Sequence, residues 1–162
     1  MSSSDRRLFL LGALALGACG FTPVYGPQGA GQRLQGRILL DAPVTENNYR
    51  LNRRIEERLG RGGAARYALS VDIDTESDGF GTASDGTTTR FRLTGTATYT
   101  LRDTATDVVL SERKTVAFTG YSATGSNVAT LASARDARER LMVILADQIV
   151  DQLLLLSPDL PE

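Results

Sequence analysis

The chain of 162 residues contains a single cysteine, and that residue stands where covalent chemistry is expected. Cys19 follows Leu16-Gly17-Ala18 and matches the bacterial lipobox, in which the thiol is acylated and the peptide is cut just before it. Ahead of it, Arg6 and Arg7 form a positive n-region, Leu8 to Leu16 an apolar h-region, and Gly17-Ala18 the small residues of a cleavage site. So short an apolar run does not cross a bilayer, which takes about 20 residues. The plainer alternative is an ordinary export signal with an incidental cysteine. On the lipobox reading, residues 1–18 are a lipoprotein signal peptide, and a diacylglycerol and an acyl chain on Cys19 hold the mature protein to a membrane. Gly20 occupies the position where, in enterobacteria-like systems, an aspartate retains a lipoprotein at the inner membrane. The expected address is therefore the periplasmic face of the outer membrane. Arg6-Arg7-Leu8-Phe9-Leu10 also resembles the core of a twin-arginine signal, which leaves the export route open.

Little else in the chain is equipped for catalysis. There is no histidine, so the commonest general base and the commonest metal ligand are both missing. With its only thiol acylated, the protein has neither a disulfide nor a free nucleophilic sulfur. Asp72 and Asp74 alternate on one strand face, as solubilising acids do. Gly60-Arg61-Gly62-Gly63 follows a helix instead of opening one, so it is not a phosphate-binding loop. No nucleophile–base pair is present, and the expectation is a protein without enzymatic activity, metal or cofactor beyond its lipid. Cleavage before Cys19 removes 18 of 162 residues and leaves 144, with 16 basic and 18 acidic side chains. That balance excludes a nucleic-acid binder driven by overall charge. After the leader, no segment reads as apolar enough to span a membrane.

The elements that must position these residues follow from periodicity. Residues 19–32 mix Pro, Gly and isolated aromatics, and read as a lipidated tether. A single α+β domain is expected over 33–157, with a short tail at 158–162. Leu34 to Leu40 reads as a first strand. Asn47-Asn48 would cap a helix whose Leu51, Ile55 and Leu59 form an apolar stripe. Its other face carries Arg53, Arg54, Glu56, Glu57, Arg58 and Arg61, and reads as solvated, with Arg53–Glu57 and Glu57–Arg61 pairs. Tyr67 to Asp74 alternates as a half-buried strand. A Gly/Ser/Thr/Asp-rich tip over 76–87 leads into a strand from about Thr88 to Leu101. Phe91, Leu93, Ala97, Tyr99 and Leu101 line one face of that strand, Arg90, Arg92 and a row of threonines the other. The fourth strand spans about Val108 to Tyr121, and the last helix Asn127 to Leu156. Ala134, Ala137, Leu141, Leu145, Ile149, Leu153 and Leu156 make a stripe along that helix.

Hairpin parity constrains the pairing. If Leu93 and Phe118 share the buried face, partners on the third and fourth strands sum to an odd number, pairing Asp103 with Val108 and Leu93 with Phe118. Arg92 then faces Thr119, and Arg113 faces Thr98. The preceding hairpin needs even sums, which a turn at Asp85-Gly86 does not give without a bulge near Gly79 or Gly81. The order β-α-β-β-β-α predicts a two-layer α+β sandwich: a four-stranded, mostly antiparallel sheet with two helices on one face.

Cys19-Gly20-Phe21-Thr22-Pro23-Val24-Tyr25-Gly26, the run Arg90-Phe91-Arg92-Leu93 through Tyr99-Thr100-Leu101, and Arg140-Leu141-Met142 followed by Leu145-Ala146-Asp147-Gln148-Ile149 give the mature chain a resemblance to the LptE family, in its alphaproteobacterial form. That resemblance implies an outer-membrane lipoprotein that plugs the large β-barrel LptD, helps it assemble, and contacts lipopolysaccharide in transit to the surface. A polar exterior suits a plug, and the threonine-rich face of the third and fourth strands is its expected source. Arg90 and Arg92 are the candidate lipopolysaccharide contacts, because phosphates pair with basic side chains. The second hypothesis is a lipid-binding auxiliary lipoprotein of an envelope ABC-type lipid-transport system, which predicts an apolar groove deep enough for an acyl chain.

Overall fold

The computed structural model describes residue 26, residues 29–82 and residues 86–161. The signal peptide, Cys19, most of the expected tether and the tip around Ser84 lie outside the described residues. In chain order the elements are α1 (Ala30–Leu34), β1 (Ile38–Leu40), α2 (Glu46–Leu59), β2 (Tyr67–Thr82), β3 (Thr88–Asp103), β4 (Val109–Ser122) and α3 (Asn127–Leu156), closed by a 3-10 turn at Ser157–Asp159. The sheet order is β1-β2-β3-β4, with β1 parallel to β2 and the other pairs antiparallel. This is the expected α+β architecture.

Several boundaries differ from the sequence reading. Leu34 belongs to a one-turn helix, and only Ile38 to Leu40 pair as a strand. Leu34 is fully buried, and α1 packs against the 3-10 turn and α3. The last residues fold back as well: Leu160 is buried, and the Tyr67 hydroxyl donates to the Pro161 carbonyl at 2.6 Å. β2 continues through the region read as a tip, as far as Thr82. The expected even register holds from Tyr67↔Asp103 to Gly79↔Phe91, and it breaks on either side of Gly81, where a bulge was required.

Helix α2 is capped by Thr45, not by the asparagine pair: its hydroxyl accepts from the Asn48 N–H at 3.1 Å. Asn48 instead donates to the Val71 carbonyl and Asn52 to that of Asp41, tying the helix to the sheet edge near the end of β1. At the far end the chain turns out through Gly60 at φ +76°, a conformation that costs glycine nothing. The helix's charged face is not simply solvated. Arg54 forks onto Asp147 of α3 at 2.9 and 3.1 Å, Arg58 reaches Asp147 and Asp151, and Arg50 and Arg53 reach Glu139. Arg53–Glu57 forms as expected, whereas Arg61 pairs with Glu56 and not with Glu57. Burial alone would raise the Asp147 carboxyl, but hydrogen bonds from Arg54 and Arg58 outweigh it and hold the group below its ordinary range.

Helix α3 keeps the expected bounds, with Ser126 as its cap. Contrary to the sequence reading, it is long and apolar enough by composition to cross a membrane. Part of that apolar surface is committed to the core, with Leu141, Met142, Leu145, Ile149, Val150 and Leu153 fully buried, whereas Val128, Leu131, Ile144 and Leu155 are exposed. The helix lies along the β3–β4 pair. Ala137 meets Thr119, which is opposite Leu93, and Gln152 meets Tyr99. Fifteen residues of helix rise about 22 Å, and six of strand about 20 Å, so the two axes nearly coincide in direction.

The closest seam between the layers is at Gly95. A Cβ there would lie 2.9 Å from Leu141 Cδ2 and 3.0 Å from Leu145 Cδ1. Gly95→Ala is therefore expected to overpack the seam and destabilise the fold by about 1–3 kcal/mol, read as a lower midpoint in thermal or urea unfolding. A second measurement tests the interhelical pair. Because the folded Asp147 carboxyl sits below its unfolded value of about 3.9, its contribution is complete above that pH and is lost as pH falls through the folded value. Asp147→Asn should lower the melting temperature at pH 7, by about 0.5–1 kcal/mol in stability, and flatten the decline of stability below about pH 4. An unchanged acid limb would contradict the assignment.

Candidate functional site

Cross-strand partners share a face, so the register divides the sheet. The inner face carries Tyr67, Leu69, Val71 and Ile73 of β2, and Leu93, Gly95, Ala97, Tyr99 and Leu101 of β3. On β4 the inner side chains are Thr115, Ala117 and Thr119, opposite Ala97, Gly95 and Leu93. This reverses the expected phase of β4. Leu93 pairs with Thr119 and not with Phe118, Arg92 with Gly120, and Arg113 with Tyr99. The cause is local. The turn begins as expected, with the Asp103 N–H donating to the Val108 carbonyl and Arg102 paired to Val109, but Leu101 pairs with Ser111. Leu110 is the extra residue, and beyond it every side chain of β4 is on the opposite face.

The inward threonines are used internally. Thr119 donates to the Ala137 carbonyl at 3.0 Å, and Thr115, which is buried, hydrogen-bonds Gln148. Tyr99 donates to Gln152 at 2.8 Å, with burial raising its hydroxyl and the Arg113 charge partly offsetting that shift. At the β3–β4 turn, Asp103 is buried and accepts from the Ala105 and Thr106 N–H groups, with Arg66 at 3.0 Å. The Ala105 hydrogen bond is the largest reason its carboxyl is lowered; burial opposes it, and Thr106 and Arg66 assist.

Among the described residues, no element packs on the other face of the sheet. β3 contributes Thr94, Thr96, Thr98 and Thr100, as expected, but β4 contributes Glu112, Lys114, Val116 and Phe118 in place of threonines. Val116 is 52 % and Phe118 70 % exposed, and Phe80, beside the β2 bulge, is 58 % exposed. Arg90 and Arg92 both sit on this outer face near the tip, paired across to Ser122 and Gly120. The Arg92 guanidinium carbon lies 5.7 Å from the ring centroids of both Phe80 and Phe118, within cation–π range. Arg113 is seven β3 positions away and in the opposite phase, so it takes no part in this cluster. Sequence reasoning named both arginines but missed the rings. Phe80 was assigned to the tip and Phe118 to the core; two phenylalanines near a basic strand were the available signal. Cys19 lies outside the described residues.

The family model described as LptE, lipopolysaccharide-assembly, matches residues 40–153. No curated protein sequence matches significantly. Among solved structures, a protein of Caulobacter crescentus CB15 described as a lipoprotein is similar with TM-score 0.67 at 19 % identity, covering 80 % of this chain and 96 % of its own. The rare lipoprotein B of Shewanella oneidensis follows with TM-score 0.59 at 10 % identity, covering 76 % and 96 %. A minor lipoprotein of Acinetobacter baumannii gives 0.53 at 18 %, covering 74 % and 89 %. At these identities the likeness establishes the fold.

The reversed phase of β4 makes a direct prediction. In a Cys19→Ser background, single cysteines at Thr94, Val116 and Phe118 should label with maleimide in the folded protein. Cysteines at Thr115 and Ala117 should label only after unfolding. The opposite pattern on β4 would restore the odd-sum register.

Proposed function

The chain belongs to the lipopolysaccharide-assembly LptE family, and from that premise we propose that it is an outer-membrane lipoprotein that seats within the LptD β-barrel. Anchored through lipid on Cys19 at the periplasmic face, it plugs the barrel lumen, helps the barrel assemble, and serves lipopolysaccharide transport to the cell surface. It acts by placement and binding, without a catalytic step. Lipopolysaccharide contact falls to Arg90 and Arg92 at the tip end of the outer face.

The observation that carries this reading is the seam at Gly95, where α3 lies so close that a single methyl group would overlap Leu141 and Leu145. An auxiliary lipoprotein of an ABC-type lipid-transport system would need an acyl-chain groove, and the space between helix layer and sheet is where such a groove would form. The layers are closed there. A two-layer body closed at that seam, with one hydrogen-bonding sheet face, is instead suited to sit inside a barrel whose interior is polar.

The test is recovery of the tagged, full-length protein from outer membranes, with mass spectrometry of what accompanies it. A β-barrel of large strand number is expected, and depletion of the lipoprotein should reduce the assembled barrel. Cys19→Ser should release the protein into the periplasmic soluble fraction. Recovery with inner-membrane subunits of an ATP-driven transporter, and no barrel, would transfer the assignment to the auxiliary class.

A further inference from the structure

The open face of the sheet is an unsatisfied surface in two respects. Among the described residues, Phe80, Val116 and Phe118 are exposed on it, with the Arg92 guanidinium near the two rings. Beside them, β2 holds Asp72, Asp74, Glu76 and Asp78 outward at alternate positions, all exposed. Successive carboxylates on one strand face are about 6.8 Å apart. That is inside the Debye length of about 8 Å at physiological salt, so the four repel one another in the isolated protein. Among the described residues none of them forms an ion pair. Three of them face threonines across the ladder, Thr98, Thr96 and Thr94; the fourth, Asp78, faces Arg92, whose guanidinium lies near Phe80 and Phe118.

We infer that this face makes a charge-matched contact with the wall of the barrel, and that the wall offers lysine or arginine side chains to the β2 row. The inference rests on the proposed barrel partnership and specifies its contact. Charge complementarity selects the occupant: four carboxylates at alternate positions of a strand call for cations at the same spacing. Inward side chains of a barrel strand recur at every second residue, as these carboxylates do. The threonine row can hydrogen-bond polar groups of the lumen, while Val116 and Phe118 gain cover from aliphatic or aromatic wall residues. The helix layer lacks this pattern, because its acidic groups Glu139, Asp147 and Asp151 are already engaged by α2 arginines.

A photo-crosslinking amino acid placed in the full-length lipoprotein in its own cells distinguishes the surfaces. Positions Asp74, Thr96 and Phe118 sample the open sheet face; Arg135, Ile144 and Leu155 sample exposed positions of α3. The sheet positions should yield adducts with the barrel. The triple reversal D72K/D74K/E76K should cut recovery of the barrel by about tenfold, as truncation or reversal of complementary charges does at other interfaces. The neutral triple D72N/D74N/E76Q should raise the melting temperature of the isolated protein, which also establishes that the altered face still folds. Barrel adducts from α3 positions with none from the sheet would overturn the inference and leave the barrel partnership intact. Adducts between two copies through Phe118 would overturn it in favour of self-association. If the wild-type protein recovers no barrel at all, the partnership itself fails, and this inference with it.

Discussion

The close approach of α3 to the sheet at Gly95 is the constraint from which most of the structure follows. Leu141 and Leu145 descend onto Gly95, in an inner-face floor where Ala97, Ala117 and Thr115 are also small. A phenylalanine or valine in that floor would lift the helix and open a void on both sides of it, losing packing that is worth more than the transfer of one side chain. The small residues of β4 therefore point inward and its large ones point out. Exposure of Val116 and Phe118 is a consequence of how the core is closed. The same floor lets α3 run along the β3–β4 pair instead of across it, so that a ladder of hydrogen bonds from Thr119, Thr115 and Tyr99 fixes its rotation and its register.

The pairing of α2 with α3 adds specificity at a partly exposed seam. As α2 rises from Arg50 to Arg58, its partners on α3 rise from Glu139 to Asp151, so the two helices run in the same direction. Exposed ion pairs contribute little stability individually, but a bidentate fork such as Arg54–Asp147 has strict geometry. Slipping one helix by a turn against the other would leave Arg54 facing a different set of side chains. The apolar stripe of Leu51, Ile55 and Leu59 supplies the burial, and the charges select one alignment among those that burial would permit.

How much of this was legible depends on whether a pattern was local. Helix α3 was readable to its ends because the 3–4 spacing of its apolar residues is a local signal. The β2–β3 register, including the need for a bulge at the glycines, followed from the positions of large apolar residues on both strands. β4 misled because the parity argument took Val116 and Phe118 as core on account of their size. The actual choice was made by α3, a partner distant in sequence, and executed by one extra residue, Leu110. The asparagine pair was likewise read as a cap because capping is local, whereas Asn48 and Asn52 bind backbone carbonyls near the sheet edge. Of the candidate site, Arg90 and Arg92 were placed correctly on the outer face. Their aromatic neighbours depended on the β4 phase and were lost with it.

The phase of β4 also changes what kind of exterior the molecule has. A uniformly threonine-lined face would be a generic wet surface, compatible with solvent or with any polar wall. The observed face is graded, with carboxylates on β2, threonines on β3, and on β4 a Glu112–Lys114 end that gives way to Val116 and Phe118. A grading of this kind has a direction across the strands, so it can distinguish one orientation of a partner from its reverse, which a uniform face cannot. Arg92 lies at the boundary, opposite Asp78 on one side and near Phe118 on the other. Its aromatic contacts hold the guanidinium over the apolar side and leave the acidic row to other cations. In the proposed placement role, an oriented face would do what a catalytic constellation does in an enzyme: set which single arrangement with the partner is favoured.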